Sequence, residues 1–450
     1  MTPTNQILFC VLFQISTAIA IGLYTIIRRS FGFPLIYLIN LTILHAGAFV
    51  YLNPLYDIGY DPYIRSIELT EDTIARGYFA TCFGIPFLFL GILLADFFCS
   101  KAITPRIKTA SFTLMQVAVA LICMGGAAYV VTRLGAIPPG FHAVLLVGRN
   151  ATVVGLYMAI TDSLMRRFYY RAMGFTALFL LIPAYHAVFE GFLALGTQYA
   201  VILLITLISE MRATPKRVAC GIVGFIAAVY LFLSAMTVYL ENRVELRSVL
   251  WSDASFTDRT DALINVFYKI EPFNFSNLRH LALIDSRFNQ NIYIGKTIDY
   301  LEFHPDRFAN GNTIALAVLS WVPRALWPDK PVMGGTRILA EYSGLKFDES
   351  TTMQTGQIFE FYINFGLMGI AFGMIIYGFF LRYVDLQAAS NWALKDFVST
   401  AKYFLLGIVL VWPGEILISH LSALAATLFV SIFLGRYCSL FSSRSLSVVS

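Results

Sequence analysis

GYFATCFGIPFLFLGILLADFF, residues 77–98, carries one charged side chain (Asp96) in 22 positions. A run of about 20 apolar residues satisfies its own backbone as a helix and is long enough to cross a bilayer. The stretch is not isolated. Comparable runs read at residues 7–27, 33–52, 110–131, 150–165, 172–189, 192–209 and 218–240, and again at 358–381, 404–419 and 421–435. Several are nearer 16 residues than 20, and 150–165 is the weakest of them. Composition agrees: 58% of the 450 residues are hydrophobic, 13% are charged, and the mean hydropathy is +0.70. Globular domains run near half apolar and about a quarter charged. A soluble enzyme, a disordered chain and a disulfide-built secreted domain are excluded. An all-α, polytopic integral membrane protein of about 11 transmembrane helices is expected.

Charge sets the expected orientation. With the N-terminus outside, the inner loops hold Arg28, Arg29, Lys101, Arg106, Lys108, Arg166, Arg167, Arg171, Arg212, Lys216 and Arg217, and later Arg382, Lys395, Lys402, Arg436 and Arg444. Only Arg65, Arg76, Arg133 and Arg149 fall in short outer loops. Short loops decide orientation, so the N-terminus is expected outside and the C-terminus in the cytoplasm. Ala18-Ile19-Ala20 looks like a signal-peptidase site, but no Lys or Arg precedes the first apolar run, so a retained helix is expected. The six cysteines (Cys10, Cys82, Cys99, Cys123, Cys220 and Cys438) lie in spans or on the inner side, which implies no disulfide framework and no Cys-built metal site.

Four regions follow: a bundle of about eight spans over 1–240, one large outer loop over 241–357, about three spans over 358–437, and a tail over 438–450. Between Glu241 and Glu349 the outer loop carries 12 Lys or Arg and 14 Asp or Glu, the charge density of a soluble domain. Loops beyond about 15 residues are usually functional. Aromatic residues interleave the charges, and the apolar stretch 314–322 is too short to span, so an interfacial or re-entrant helix is expected there.

Nucleotide and zinc chemistry find no support. There is no GxxxxGK[ST], no strand–GxGxxG–helix pattern and no HExxH, and the histidines are scattered. No cofactor and no metal is expected. The string Trp321-Val322-Pro323-Arg324-Ala325-Leu326-Trp327-Pro328-Asp329-Lys330-Pro331 is the most informative in the chain. Its prolines prevent a helix, its tryptophans suit the interface, and Arg324 and Lys330 then project at headgroup level. Two fixed cations there suit an anionic group such as a lipid diphosphate. An aromatic belt with snorkelling cations would use the same residues.

That string resembles the PR-x-LWP-x-KP signature of the Wzy-type oligosaccharide repeat-unit polymerases, which make O-antigens and related exopolysaccharides. Gln357-Ile358-Phe359-Glu360-Phe361-Tyr362-Ile363-Asn364-Phe365-Gly366-Leu367-Met368-Gly369 is similar to the family's G-x-x-x-E-x-Y-x-N-F-G-x-x-G stretch after the large loop. The two motifs cover about 50 residues; the plan of spans with one dominant late loop covers the whole chain. A Gly-Ser/Thr-Arg element common in the family is here Gly196-Thr197-Gln198, without the arginine.

The resemblance implies a GT-C-like, lipid-carrier-dependent glycosyltransferase of the bacterial inner membrane. It would move a growing glycan from undecaprenyl diphosphate to the next lipid-linked repeat, on the periplasmic face, in lipopolysaccharide or exopolysaccharide biosynthesis. Its partners would be the undecaprenyl-diphosphate-linked oligosaccharide, the lipid bilayer and a chain-length regulator, with no nucleic acid. Such chemistry needs cations at the leaving diphosphate and a base at the acceptor hydroxyl. Arg324, Lys330 and Arg337 are the first candidates for the cations, with Arg279, Arg287 and Trp327 beside them. Glu360 and His280 are the candidates for the base. Glu360 equally suits a dipole-favoured acid at a helix start, and His280 an ordinary loop histidine. His186 with Glu190, four residues apart, and Glu415 after Trp412-Pro413-Gly414, where a kink would expose backbone near the outer surface, are secondary candidates for a glycan groove. A lipid-linked-oligosaccharide flippase and an O-antigen-ligase-type transferase remain open as alternatives.

Overall fold

The computed structural model describes residues 2–27, 30–57, 67, 69–99, 112–135, 142–186, 199, 202, 215–322, 327, 334–347, 351 and 353–446. Helices α1 (Pro3–Ile27), α2 (Phe33–His45), α3 (Glu71–Cys99), α4 (Leu114–Leu134), α5 (His142–Met165), α6 (Tyr169–Tyr185) and α7 (Pro215–Glu241) come first. The intervening segment folds as α8 (Arg243–Leu250), α9 (Phe256–Tyr268), α10 (Leu278–Phe288), α11 (Asn291–Phe303), α12 (Asn312–Leu319) and α13 (Gly335–Ser343). The chain closes with α14 (Gly356–Ala393), α15 (Phe397–Leu410) and α16 (Leu417–Leu446). Among the described residues there is no strand. Among the described residues, seven helices are long and apolar enough to cross a membrane, with shorter apolar helices at Val229–Glu241 and Phe397–Leu410. The protein is an all-helical polytopic membrane protein. The expected span at 192–209 lies almost wholly outside the described residues.

The centre of the bundle is the pair α3 and α14, and glycine sets their spacing. A Cβ on Gly91 would stand 2.1 Å from the Ile375 carbonyl oxygen, and one on Gly378 would stand 2.2 Å from that of Leu88. Two helices touching backbone to backbone gain dispersion contact that lipid cannot replace. At its other end α3 receives α11 in the same manner, through Gly77 and Gly295, and Arg76 pairs with Asp299 at 2.7 Å and with Glu302. Arg76, expected in a loop, is therefore helical and holds the intervening segment onto the bundle.

Other cations also move from loop to helix. Arg149 lies inside α5, 6% exposed, with its guanidinium 5.3 Å from the Tyr129 ring. The weakest of the expected spans, 150–165, belongs to a helix that is mostly buried in protein. Arg382 lies inside α14, bonded to Asp96 (2.9 Å) and Asp385. Asp385 in turn accepts from the backbone N–H groups of Gly32 (3.1 Å) and Phe33 (3.4 Å) at the start of α2. A buried guanidinium is tolerable only when paired in this way. The short apolar stretch at 314–322 overlaps the eight-residue helix α12, which is too short to span.

Candidate functional site

Two of the expected spans are broken, and the short helix before one break packs against the turn at the other. The stretch read as one span over 404–419 divides instead: α15 ends at Leu410, and α16 begins at Leu417. Pro413 cannot donate to a helix, so a turn here leaves carbonyls without intrahelical partners. Each of four consecutive carbonyls finds a donor from elsewhere. The Tyr377 hydroxyl donates to Leu410, the Asn40 amide to Val411 (2.8 Å), the Gln357 amide to Trp412 (3.0 Å), and the Gln357 backbone N–H to Pro413 (3.2 Å). Non-helical backbone at membrane depth is tolerated where protein supplies such partners.

The second break lies in α14. Phe365 (φ −145°) and Gly366 (φ 60°, ψ −146°) depart from helical geometry and leave a short helix, residues 356–364, in which every residue is buried. Gly366 occupies a region open essentially to glycine alone. Asn364 fastens the end of the short helix: its amide donates to the Thr313 hydroxyl (2.7 Å), and its oxygen accepts from the Gly311 N–H (2.9 Å). The Ile363 carbonyl accepts from Ala309 (2.8 Å).

Glu360 sits in this short helix with no exposed surface. One carboxylate oxygen accepts the Leu417 N–H, the first of α16, where the helix dipole favours negative charge. The other, Oε1, has no hydrogen-bond partner among the described residues. His420 lies one turn further along α16. Its Nε2 is 3.0 Å from the Tyr377 hydroxyl, and its Nδ1 is 4.0 Å from a Glu415 carboxylate oxygen. Tyr377 spends its only proton on the Leu410 carbonyl. The proton in its contact with His420 therefore belongs to Nε2, which leaves Nδ1 of neutral His420 as an acceptor facing Glu415. Tyr37 donates to Gln357 at 2.9 Å and completes the floor. Glu415 lies in the turn, outside the spans, and is the partly exposed member; burial raises its carboxyl above the usual range. Two proton acceptors result: Glu360 Oε1 behind the first N–H of α16, and His420 Nδ1 facing the partly exposed Glu415 carboxylate.

Of the residues singled out in the sequence, two approach the start of α16: Glu360 accepts the Leu417 N–H, and Glu415 in the preceding turn faces His420. His420, Tyr377, Gln357, Tyr37 and Asn40 join them without having been singled out. Glu415 and His420 are five residues apart, the only local sign of the cluster. His280 is elsewhere: it is buried in α10, accepts the Asn274 N–H at Nδ1 (3.2 Å) and packs on Phe273. It forms part of the wall of a polar cavity of about 460 Å³ with Glu241, Asn242, Lys269, Glu271 and Arg279. Arg279 is spent in an exposed pair with Glu241 at 2.9 Å. Arg287 lies beside Arg243; burial first, then Arg287 and Arg247, lowers the Arg243 guanidinium to about 10. Arg337 is exposed on α13, and Trp327 is half-buried. His186 is buried against Tyr129 (3.3 Å), within the α4–α6 region. Arg324, Lys330 and Glu190 lie outside the described residues. Among the described residues no group of three His, Cys, Asp or Glu is placed to hold a metal ion.

Compared with protein-family models, with curated proteins and with solved structures, the chain matches none.

Proposed function

We propose that this chain is a membrane glycosyltransferase that lengthens a polysaccharide by moving a glycan from its lipid diphosphate to the next lipid-linked repeat on the periplasmic face. The observation that supports this best is Glu360. It stands in the stretch similar to the polymerase motif, fully buried, with one oxygen fixed by α16 and the other unpartnered.

In the proposed reaction an acceptor sugar hydroxyl attacks the anomeric carbon of the donor. The new C–O bond forms as the anomeric C–O bond to the diphosphate breaks. The hydroxyl proton passes to Glu360 Oε1. The leaving diphosphate departs with its lipid, its charge met by Arg324, Lys330 and Arg337. A donor activated by diphosphate needs no nucleotide at this face, in keeping with a chain that carries no nucleotide motif. Arg279, already paired with Glu241, and Trp327 are left to contact glycan.

A second reading draws on one specific observation. Two interrupted helices meeting inside a bundle are also how transporters build binding sites, so a lipid-linked-oligosaccharide transporter would use the breaks at Gly366 and Pro413. One gel profile of lipid-linked glycan, from cells with and without the chain, separates the readings. Loss of the ladder to single repeats on the carrier supports polymerisation. A full ladder stranded on the carrier indicates a ligase, and repeats held on the cytoplasmic face indicate a transporter. Arg324→Ala is expected to abolish extension while the chain still accumulates in the membrane; full-length polymer from that variant would remove the diphosphate role.

A further inference from the structure

The end of α7, the loop after α9 and the start of α10 enclose the polar cavity of about 460 Å³ that His280 walls. Small-molecule sites occupy about 300–1,000 Å³. Among the described residues Val238 is the one apolar side chain that lines it, so an acyl or isoprenoid chain would gain almost nothing there. Two acids, Glu241 and Glu271, share the wall with two cations, Lys269 and Arg279. The formal charge of the wall is therefore balanced. A polyanion would meet both carboxylates, and a polycation both cations.

The polar groups are held in place by one another. Arg279 Nε is fixed on Glu241 at 2.9 Å, which leaves the outer N–H groups of the guanidinium fork and the second Glu241 oxygen for a ligand. Lys269 donates to Asn242 Oδ1 at 3.2 Å and keeps two further N–H groups. Asn277 caps α10 by accepting the Arg279 N–H at 3.0 Å, which leaves its amide N–H groups as donors. His280 is 7% exposed, and its Nδ1 accepts the Asn274 N–H at 3.2 Å. Neutral His280 therefore carries its proton on Nε2, as a donor for the cavity that it walls. Donors and acceptors thus surround one space without net charge. A hydroxyl both donates and accepts, so an uncharged molecule bearing several of them matches such a wall on every side. Groups fixed in advance also spare the ordering cost that loose side chains incur on binding.

Asn242 and Lys269 also line a second polar cleft, of about 340 Å³, between α8 and α9, together with Glu245, Asp258, Asp261 and Asn265. Two polar compartments that share two residues suit a chain of similar units better than one compact molecule. The second compartment sets three acids against Lys269 and so disfavours a chain that bears carboxylates or phosphates.

We propose that the two clefts form a subsite for an uncharged oligosaccharide. The Glu241–Arg279 pair, Lys269, Asn277 and His280 hold one sugar unit, and the α8–α9 cleft holds the next. The subsite rests on the glycosyltransferase reading only where its glycan is called a substrate; binding itself follows from the wall.

The test applies the purified, fluorescently labelled full chain to an array of neutral and acidic bacterial oligosaccharides. Neutral glycans are expected to be retained, and acidic ones at least tenfold more weakly. Arg279→Ala, Glu271→Ala and Lys269→Ala, all at exposed positions where folding is spared, are each expected to weaken retention at least tenfold. Arg307→Ala, exposed and outside both clefts, is expected to change it less than twofold. Preference for acidic glycans, equal retention by wild type and all three cleft variants, or retention of no neutral glycan would overturn the proposal. Chain extension is a separate readout. Glycan binding that is lost in the cleft variants, in a chain that extends no polymer, would remove the proposed reaction and support the subsite.

Discussion

Gln357→Leu tests how the turn at Pro413 is held. The Gln357 side chain accepts from the Tyr37 hydroxyl at 2.9 Å and donates to the Trp412 carbonyl at 3.0 Å, while its backbone N–H to Pro413 is unaffected by substitution. Leucine fills the space and strands both partners, the fully buried Tyr37 hydroxyl and the part-buried Trp412 carbonyl. In water-soluble proteins each stranded group costs about 1–3 kcal/mol. Inside membranes measured hydrogen bonds average about 0.6 kcal/mol and reach about 1.7 kcal/mol. Two bonds, with only the weak Met374 sulfur 4.0 Å from the Tyr37 hydroxyl as a replacement, place the loss at about 1–3 kcal/mol. Reversible unfolding in mixed micelles with increasing SDS measures it, with Met368→Leu, on the exposed surface of the same helix, as the neutral control. A loss under about 0.5 kcal/mol, indistinguishable from the control, would refute the claim that side chains hold this turn open.

Other substitutions test the remaining joints. Gly366→Ala forces a side chain into a φ 60°, ψ −146° conformation and is expected to cost about 1–3 kcal/mol in the same unfolding assay; an unchanged midpoint would mean that the break in α14 lies elsewhere. Gly91→Val sets a side chain against the Ile375 carbonyl, 2.1 Å from where its Cβ must stand, so it should separate α3 from α14 and lower folded yield sharply, whereas wild-type yield would contradict the close packing of that pair. Arg76→Ala removes the partner of Asp299 and Glu302 and should speed protease cleavage within the 241–357 segment several-fold while the spans persist; an unchanged digest would show that the glycine contacts alone dock it.

Much of this arrangement is legible in the residues because hydrocarbon enforces it. Apolar runs of sufficient length, and one charged stretch interrupting them, fix the helical class and the position of the intervening segment. Glu360 could be singled out because an acid within an apolar run is costly and therefore conspicuous. Trp412-Pro413-Gly414 reads as a kink, but neither the full division of the span there nor the break at Gly366 was legible. Residues 404–419 read as one span because the turn is itself largely apolar and its carbonyl donors come from Asn40, Gln357 and Tyr377, far away in sequence. Gly366 hides among the many glycines of membrane helices, and its function as a break depends on Asn364 meeting Gly311 and Thr313. Arg149 and Arg382 were assigned to loops by charge alone; each is helical because an aromatic ring or two carboxylates receive it. His420 was unremarkable for the same reason, since Tyr377 lies 43 residues away. His280 was chosen for its charged neighbours, yet its ring is folded inward onto Phe273.

The most direct test of the proposed chemistry is Glu360→Gln beside Glu360→Ala, each purified in full length, reconstituted in lipid and supplied with lipid-linked repeat units. Glutamine keeps an oxygen for the Leu417 N–H but is no base, so stability should hold within about 1 kcal/mol while chain extension falls by about 10²–10⁴. Alanine should lose extension as well and unfold about 1–3 kcal/mol sooner. A glutamine variant that builds a full-length ladder at the native rate would contradict a catalytic Glu360 and leave it as the acid that caps α16.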